Sequence, residues 1–309
     1  MLRTTGLVCV LFALLASIAA STGCRPSGST SDTERGDGVI RTTFYPTQYF
    51  AERIAGGAVV VECPLPDGED PATWRPSAEA VNAYQNASIA IVNGSNFEKW
   101  VITAPLPRSR VVDTGEAIER PIVIETGETH SHGAQGLHTH KGIDGHTWVD
   151  PTNALSQAEV IYDAMVEWWP EHEESFRAGF AELKKNLTAL EAELGTIDAS
   201  GVTLLAAHPA YNYLARRRGW EITNFDLDPD APAANQQLMA VRVAVDEAAS
   251  GQRLIMLWES APIEATREAL SSMGVESVVF APVESKPAEG DYVTAMRANI
   301  ERLKAAIGG

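Results

Sequence analysis

The sequence predicts an α/β protein of two lobes, each a parallel sheet flanked by helices, joined by a long α-helix. Three observations support this fold class. From Val39 onward, strand-like and helix-like segments alternate, as in proteins with parallel sheets. The segment 88–94 is a continuous apolar run, typical of a strand buried on both faces. A long helical stretch in the middle of the chain separates two such alternating series.

Each series contains several strands and helices. In the first, the predicted strands are 39–45, 58–66, 88–94 and 109–115, and the predicted helices are 46–57, 77–87 and 96–102. In the second, the predicted strands are 202–208, 221–227, 253–260 and 276–283, and the predicted helices are 209–218, 235–250, 262–273 and 291–307. The acidic segment 226–232 lacks the glycine and terminal glutamate of a calcium-binding EF-hand loop, so we interpret it as an ordinary loop.

The helical stretch between the two series is expected to break at Pro170. Beyond it, apolar residues recur in steps of 4, 3, 4, 3 and 4, which places them on one face of a helix. They are Phe176, Phe180, Leu183, Leu187, Leu190 and Leu194. A helix of about 25 residues is roughly 37 Å long, enough to join two lobes. Between such lobes a crevice forms at the carboxyl ends of the strands, where ligands usually bind.

The N-terminus has the pattern of an export signal. Arg3 precedes an apolar stretch of 14 residues, which is shorter than the roughly 20 residues of a membrane span. Gly23-Cys24 at its end resembles a bacterial lipoprotein signal, which predicts removal of residues 1–23 and lipidation of Cys24. Residues 24–38 are then a lipidated N-terminus and flexible tether. The remaining division is predicted as a first lobe with a His-rich loop, an interlobe helix and a second lobe, at 39–168, 169–198 and 199–309.

Charge and cysteine content exclude some partners and some covalent links. The formal net charge of −17 argues against nucleic acid as a partner and suits a protein that attracts cations. After Cys24, only Cys63 remains, so the mature chain forms no internal disulfide.

Five of the seven histidines fall within 17 residues. They are His130, His132, His138, His140 and His146. Outside that segment, His208 ends a predicted strand, whereas His172 lies among glutamates and is expected to be solvated. His146 and His208 both lie at edges that can face the crevice, and neutral imidazole is a common ligand of zinc.

Five segments in the right order resemble a known family. They are 43–57 (TFYPTQYFAERIAGG), 93–101 (NGSNFEKWV), 145–154 (GHTWVDPTNA), 206–220 (AAHPAYNYLARRRGW) and 290–303 (GDYVTAMRANIERL). They are similar to segments of the bacterial zinc and manganese receptors of ABC importers, and the resemblance covers roughly residues 39–307. It implies two α/β lobes joined by a long rigid helix, with a metal ion held between the lobes. Many zinc-specific members also carry a His-rich loop before this histidine-tryptophan segment.

Carried over residue by residue, the resemblance assigns His146 and His208 to metal-ligand positions. Ala72 stands where the family has its first histidine ligand, and alanine cannot coordinate a metal. Glu284 is the nearest carboxylate to the fourth position, and Glu259 matches a glutamate expected to pair with a base. Two roles remain open for the His-rich loop. It either collects metal weakly, or supplies a direct ligand to the tight site from His132, His138 or His140.

The resemblance thus implies an extracytoplasmic lipoprotein that captures a divalent metal and delivers it to an ABC permease. Zinc is the expected cargo, and manganese is possible. We expect a monomer that meets the membrane only through its lipid, facing the periplasm or the cell exterior, without enzymatic activity. A degenerate receptor that binds a metal chelate is the alternative, because of Ala72. A zinc hydrolase is disfavoured, since neither H-E-x-x-H nor G-x-S-x-G occurs.

Overall fold

Two four-stranded parallel sheets organise the protein. The computed structural model describes residues 36–124, the backbone of 129–131 and 137–139, and residues 142–308. The first sheet contains β1 (Val39–Thr42), β2 (Val60–Glu62), β3 (Ile89–Val92) and β4 (Val111–Asp113), in the order β2-β1-β3-β4. Two small pairs follow, formed by β5 (Val123–Ile124), β6 (Thr129–Ser131), β7 (Leu137–Thr139) and β8 (Gly142–Ile143). The second sheet contains β9 (Val202–Ala206), β10 (Ile222–Asn224), β11 (Arg253–Trp258) and β12 (Val275–Val279), in the order β10-β9-β11-β12.

Helices cover these sheets. They are α1 (Tyr45–Ala55), α2 (Ala78–Asn86), α3 (Pro151–Trp168), α4 (Glu173–Leu194), α5 (Asn212–Arg218), α6 (Asn235–Glu247), α7 (Glu264–Ser272) and α8 (Tyr292–Gly308). The predicted fold class, α/β with parallel sheets flanked by helices, is confirmed. The short helix predicted at 96–102 is a 3₁₀ turn over Lys99–Ile102, and the acidic segment 226–232 is a loop, as predicted.

Sequence signals at the helix ends explain several boundaries. Tyr45, predicted as the last residue of a strand, instead begins α1, because Pro46 has the backbone angle that a first helical turn needs. The same helix ends before Gly56, whose φ of 57° is left-handed and closes the last turn. Asp150 caps α3 by accepting a hydrogen bond from the backbone N–H of Thr152 at 3.0 Å.

The central strands of both sheets are buried on their two faces, which explains why they are apolar. Alternate residues of β11 contact different cores: Ile255 and Leu257 belong to a large central core, and Met256 and Trp258 to a core on the opposite face. The central core continues from the first sheet through α4 to α8 without interruption. A third cluster, built on Trp74, covers the outer face of the first sheet.

The long central helix breaks where the sequence predicts. α3 ends at Trp168, a 3₁₀ turn follows at Pro170–His172, and α4 begins at Glu173. Its 22 residues correspond to about 33 Å. The predicted apolar face of α4 is buried, except for Phe180, which is half-buried and stacks on Tyr162. The helix packs against α1 from the first half of the chain and α8 from the second.

The segment predicted as a His-rich loop contains strand pairs in its backbone. β5 pairs with β8, and β6 pairs with β7 in antiparallel register, so that His130 lies opposite His138 in the ladder. His132 and His140 lie outside the described residues, as do the predicted signal segment and Cys24. Among the helices of the described residues, none is long and apolar enough to cross a membrane.

Candidate metal site

The first component of the site is His146, in the segment between β8 and α3. Its side chain is buried, and its ring lies 6.0 Å from the ring of Phe97 and 5.5 Å from that of Trp148, measured between centroids. The preceding residue must be a glycine, because a Cβ on Gly145 would lie 2.8 Å from a ring carbon of Phe97. The aromatic packing and this close approach fix the backbone that carries the imidazole.

Asn93, which follows β3, holds the residues on both sides of His146. Its amide Nδ2 donates to the carbonyl of Gly145 at 2.9 Å, and its Oδ1 accepts from the hydroxyl of Thr147 at 3.1 Å. The backbone N–H of Asn93 donates at 2.7 Å to the carboxyl of Glu98, and burial raises the pKa of that carboxyl. The carboxyl end of the first sheet therefore positions the histidine.

The second component is His208, which follows β9 by two residues and is also buried. The backbone N–H of Ala207 donates to the carbonyl of Leu257 at 2.9 Å and extends the sheet up to the histidine. His208 Nε2 lies 3.4 Å from His146 Nε2, with the two rings nearly perpendicular. Residues that are 62 positions apart in sequence, one beside each sheet, therefore meet at their imidazole nitrogens.

The third component is Glu284, whose Oε1 lies 3.5 Å from His146 Nε2. The preceding residue, Val283, has a φ of 63°, a left-handed conformation that is costly for a β-branched side chain. Before it, the carbonyl of Pro282 accepts a hydrogen bond from Trp148 Nε1 at 2.7 Å. The strained turn and this hydrogen bond hold Glu284 beside the histidines.

Two carboxylates flank the imidazole of His146. Burial alone would lower its pKa, but the hydrogen-bonded carboxylates of Asp144 and Glu284 outweigh burial and raise the pKa to about 10. Asp144 Oδ1 lies 2.9 Å from Nδ1, on the side of the ring away from His208. A cation that binds at Nε2 must therefore displace a proton from this nitrogen.

The spacing around His146 Nε2 fits a small tetrahedral ion. Two ligand atoms that each lie 2.0–2.1 Å from Zn²⁺ are about 3.3–3.4 Å apart. The distances from Nε2 to His208 and to Glu284 are 3.4 and 3.5 Å. Within the described parts of the chain, no group of three or more His, Cys, Asp or Glu side chains forms a complete metal-binding set as it stands.

The other residues singled out from the sequence lie as follows. Ala72 is in a turn, where its backbone N–H donates to Asp70 Oδ1 at 2.8 Å. His138 is in β7, and its side chain lies outside what the structure describes. His172, expected to be solvated, is half-buried instead, because its ring packs 5.9 Å from the ring of Phe176.

An acidic cavity of about 210 Å³ adjoins the site at Glu284. Its lining carboxylates come from the turn beside Ala72, from the loop 226–232, from the end of β11 and from the segment after β12. They are Asp70, Asp228, Asp230, Glu259 and Glu284. A cavity with several carboxylates raises the local concentration of cations.

Sequence reasoning missed three residues of the site: Asn93, Asp144 and Asn212. Asp144 Oδ2 accepts from Asn212 Nδ2 at 2.9 Å. Asn93 was visible only as part of the segment 93–101, and Asp144 only as an acidic residue two positions before His146. Their contacts cross between distant segments, which sequence spacing does not reveal.

Two parallel-sheet lobes with histidines and a carboxylate meeting between them define the class of two-lobe solute-binding receptors. The chain belongs to the family described as zinc-uptake complex component A, periplasmic (ZnuA), which matches residues 40–306.

Relatives agree with this assignment. The chain is 29% identical over 290 residues to the zinc-binding lipoprotein AdcA of Streptococcus pneumoniae serotype 4, covering 89% of this chain and 57% of AdcA. It thus spans little more than half the length of that relative. It is also 29% identical over 221 residues to the manganese-binding lipoprotein MntA of Halalkalibacterium halodurans, covering 69% of each chain.

Solved structures are similar over most of the chain. The Zn(II)-bound ZnuA-like domain of Streptococcus pneumoniae AdcA has a TM-score of 0.73 at 25% identity, covering 89% of this chain and all of that domain. The metal-dependent lipoprotein YcdH of Bacillus subtilis has a TM-score of 0.72 at 21% identity, covering 87% of this chain and 98% of YcdH, and shows the shared fold.

Proposed function

We propose that this protein is an extracytoplasmic receptor that captures Zn²⁺ between its two lobes and delivers it to an ABC permease. The observation that carries the proposal is that His208 Nε2 and Glu284 Oε1 each lie within 3.5 Å of His146 Nε2, which are spacings that suit the ligands of a tetrahedral ion. In this proposal, His146 comes from the first lobe and the other two ligands from the second. One ion then bridges the lobes and favours their closed arrangement.

Zinc is the cargo that the donor set favours. Two imidazoles and a carboxylate suit Zn²⁺, whereas Mg²⁺, Ca²⁺ and Mn²⁺ prefer sites richer in oxygen. At a given site of this type, Mn²⁺ also binds more weakly than Zn²⁺. The names of the AdcA relatives support zinc, and the name of MntA keeps manganese as the second candidate. The net charge of −17 and the acidic cavity favour the approach of either cation.

Two imidazoles and one carboxylate leave one position of a tetrahedral ion unfilled. We propose that His132, His138 or His140 supplies this ligand, in place of the histidine that the family carries where Ala72 stands here. β7, which contains His138, supports this view, because it ends only seven residues before His146. A loop that only collects metal is the competing arrangement.

Metal analysis and calorimetry test the proposed function. We expect the mature chain, purified without chelators, to contain one Zn²⁺, and the chelator-treated chain to rebind one Zn²⁺ tightly and Mn²⁺ more weakly. Matched titrations with Mg²⁺ and Ca²⁺ serve as controls. A chain that binds no Zn²⁺, or binds it no better than Ca²⁺, contradicts the proposal. A zinc complex with an organic chelator bound in preference to the free ion supports the degenerate receptor instead.

For the whole protein, we propose a monomeric lipoprotein anchored through Cys24 and facing the periplasm or the cell exterior. In this proposal residues 1–23 are removed, residues 24–38 form the lipidated tether, and residues 39–168, 169–198 and 199–309 form the first lobe, the interlobe helix and the second lobe. The relatives AdcA and MntA are named as lipoproteins, which supports the anchor. Contact with the membrane is then through lipid alone, while the lobes exchange metal with the permease.

Replacing Cys24 with serine tests the anchor. We expect C24S to be released from the membrane or to remain unprocessed, since the hydroxyl cannot form the thioether of a lipidated cysteine. Fractionation and the mass of the mature chain are the measurements, and Cys63→Ser is the matched control that should stay membrane-bound. A C24S protein of normal mature mass that still fractionates with membranes argues against lipidation.

A further inference from the structure

The two carboxylate oxygens of Asp144 contact different residues. One contacts His146, and the other contacts Asn212, which lies on the side of the second sheet. Its Oδ1 accepts hydrogen bonds from Nδ1 of His146 at 2.9 Å and from the backbone N–H of His146 at 3.0 Å. Its Oδ2 accepts from Nδ2 of Asn212 at 2.9 Å. The carboxylate is buried. Both of its oxygens are therefore held, and one of them fixes the rotation of the imidazole ring.

Asn212 is itself fixed in one orientation. It is the first residue of α5, four residues after His208, and its Oδ1 accepts from Nδ2 of Asn224 at 2.8 Å. Its Nδ2 also donates to the carbonyl of Pro209 at 3.3 Å. A flipped amide would point oxygen at the carboxylate of Asp144 and nitrogen at the amide nitrogen of Asn224, losing both hydrogen bonds. The hydrogen bond from Asn224, in β10 of the second sheet, therefore keeps the amide nitrogen of Asn212 facing Asp144.

We propose that Asp144 is a positioning residue for the metal site, and that its hold on His146 depends on Asn212 from the other lobe. This inference rests on the proposed zinc-binding function. A carboxylate that accepts a hydrogen bond from Nδ1 leaves the lone pair of Nε2 for the metal. It also makes the imidazole more basic and therefore a stronger metal ligand. Displacement of α5 removes one of the hydrogen bonds that fix Asp144, and the ring of His146 then loses its fixed direction. In this way, the affinity of His146 for metal depends on how closely the two lobes approach each other.

Other contacts hold α5 against the first half of the chain without using this carboxylate. The hydroxyl of Tyr213 donates to the backbone carbonyl of Asp144 at 2.9 Å and accepts from the N–H of Ile122 at 3.2 Å. Arg217 pairs with Asp150 at 2.9 Å. These contacts remain when only the amide of Asn212 is changed, so a substitution there tests the link to His146 rather than the whole interface.

A polarity swap between the two residues gives the test. In Asp144→Asn the new amide nitrogen faces the amide nitrogen of Asn212, and in Asn212→Asp two carboxylates face each other. We expect each single variant to bind Zn²⁺ about 10–100-fold more weakly than the wild type. The double variant D144N/N212D restores one donor and one acceptor, and should recover a substantial part of the loss. Competition with a chromogenic zinc chelator measures all four affinities.

Two controls separate positioning from general damage. Tyr213→Phe removes a hydrogen bond to the backbone of Asp144 and leaves the carboxylate untouched, so its zinc affinity should change by less than about threefold, within the range of one weak hydrogen bond. Thermal unfolding of the metal-free variants reports on folding alone. Single variants with wild-type affinity contradict the role of Asp144. Losses that the double variant does not recover, and that follow the fall in thermal stability, also contradict it. A wild type that binds no zinc contradicts instead the proposed function.

Discussion

Alanine at His146 or at His208 is expected to lower the affinity for Zn²⁺ by more than about 100-fold. Loss of a residue that only orients a ligand typically costs 10–100-fold in metal affinity, and loss of the ligand itself should exceed that. His208 Nε2 and Glu284 Oε1 lie 3.4 and 3.5 Å from His146 Nε2, so removal of His146 takes away the donor that both of these spacings share. Competition titration of the purified, chelator-treated variants measures the change.

His172→Ala is the matched control for these two variants. It also removes an imidazole, but one that packs on Phe176 at the start of α4 instead of lying in the cleft. Its zinc affinity should equal that of the wild type. Because His146 and His208 are buried, the metal-free variants are compared by thermal unfolding before the titration. Equal and unchanged affinity in all three variants would falsify the proposed site.

Deletion of residues 130–141 is expected to weaken the tight site itself, by roughly 10–100-fold, if a histidine of this segment is a ligand. The deletion leaves five residues between β5 and β8, a length that ordinary hairpin connections tolerate. The reason for the loss is that two imidazoles and one carboxylate leave a tetrahedral ion incomplete. Zinc competition, which is insensitive to weak additional ions, is the measurement.

Three further variants separate histidine chemistry from loop length. Replacing His130, His132, His138 and His140 with asparagine keeps the loop length and should reproduce the loss caused by the deletion. Ala72→Thr and Ala72→His in the deleted chain then test rescue: only histidine supplies the ligand that the family carries at this position. A deletion variant with wild-type affinity for the tight ion shows that the segment only collects metal, and the remaining ligand is then a carboxylate or water.

The sequence predicted the fold well because its signals are local. The alternation of apolar strands and helices, the proline at residue 170 and the apolar face of α4 each act over a few residues. The two errors also had local causes. Tyr45 belongs to a helix because Pro46 sets its first turn, and His172 is half-buried because Phe176 lies one turn along the helix.

The candidate site was predictable only in part. His146 and His208 stood out because imidazoles are rare in this chain and each lies beside a predicted strand or crevice. Asp144 and Asn212 did not, because they are 68 residues apart and neither is unusual alone. Their hydrogen bond depends on how the two sheets are placed relative to each other. Periodicity and composition carry no information about that placement.

The uninterrupted central core limits the motions by which the proposed receptor can exchange a metal ion. Apolar side chains of both sheets, α4 and α8 share one interior, so swinging the lobes widely apart would expose apolar surface at a cost of about 25 cal/mol for each Å². Exchange is therefore expected to proceed through small breathing motions of the polar rim: the short segments around Asp144, Pro209 and Pro282 move, while the interior stays closed. In the proposed function, a permease that takes the ion needs only to separate these segments, which is a far smaller motion than opening the whole molecule.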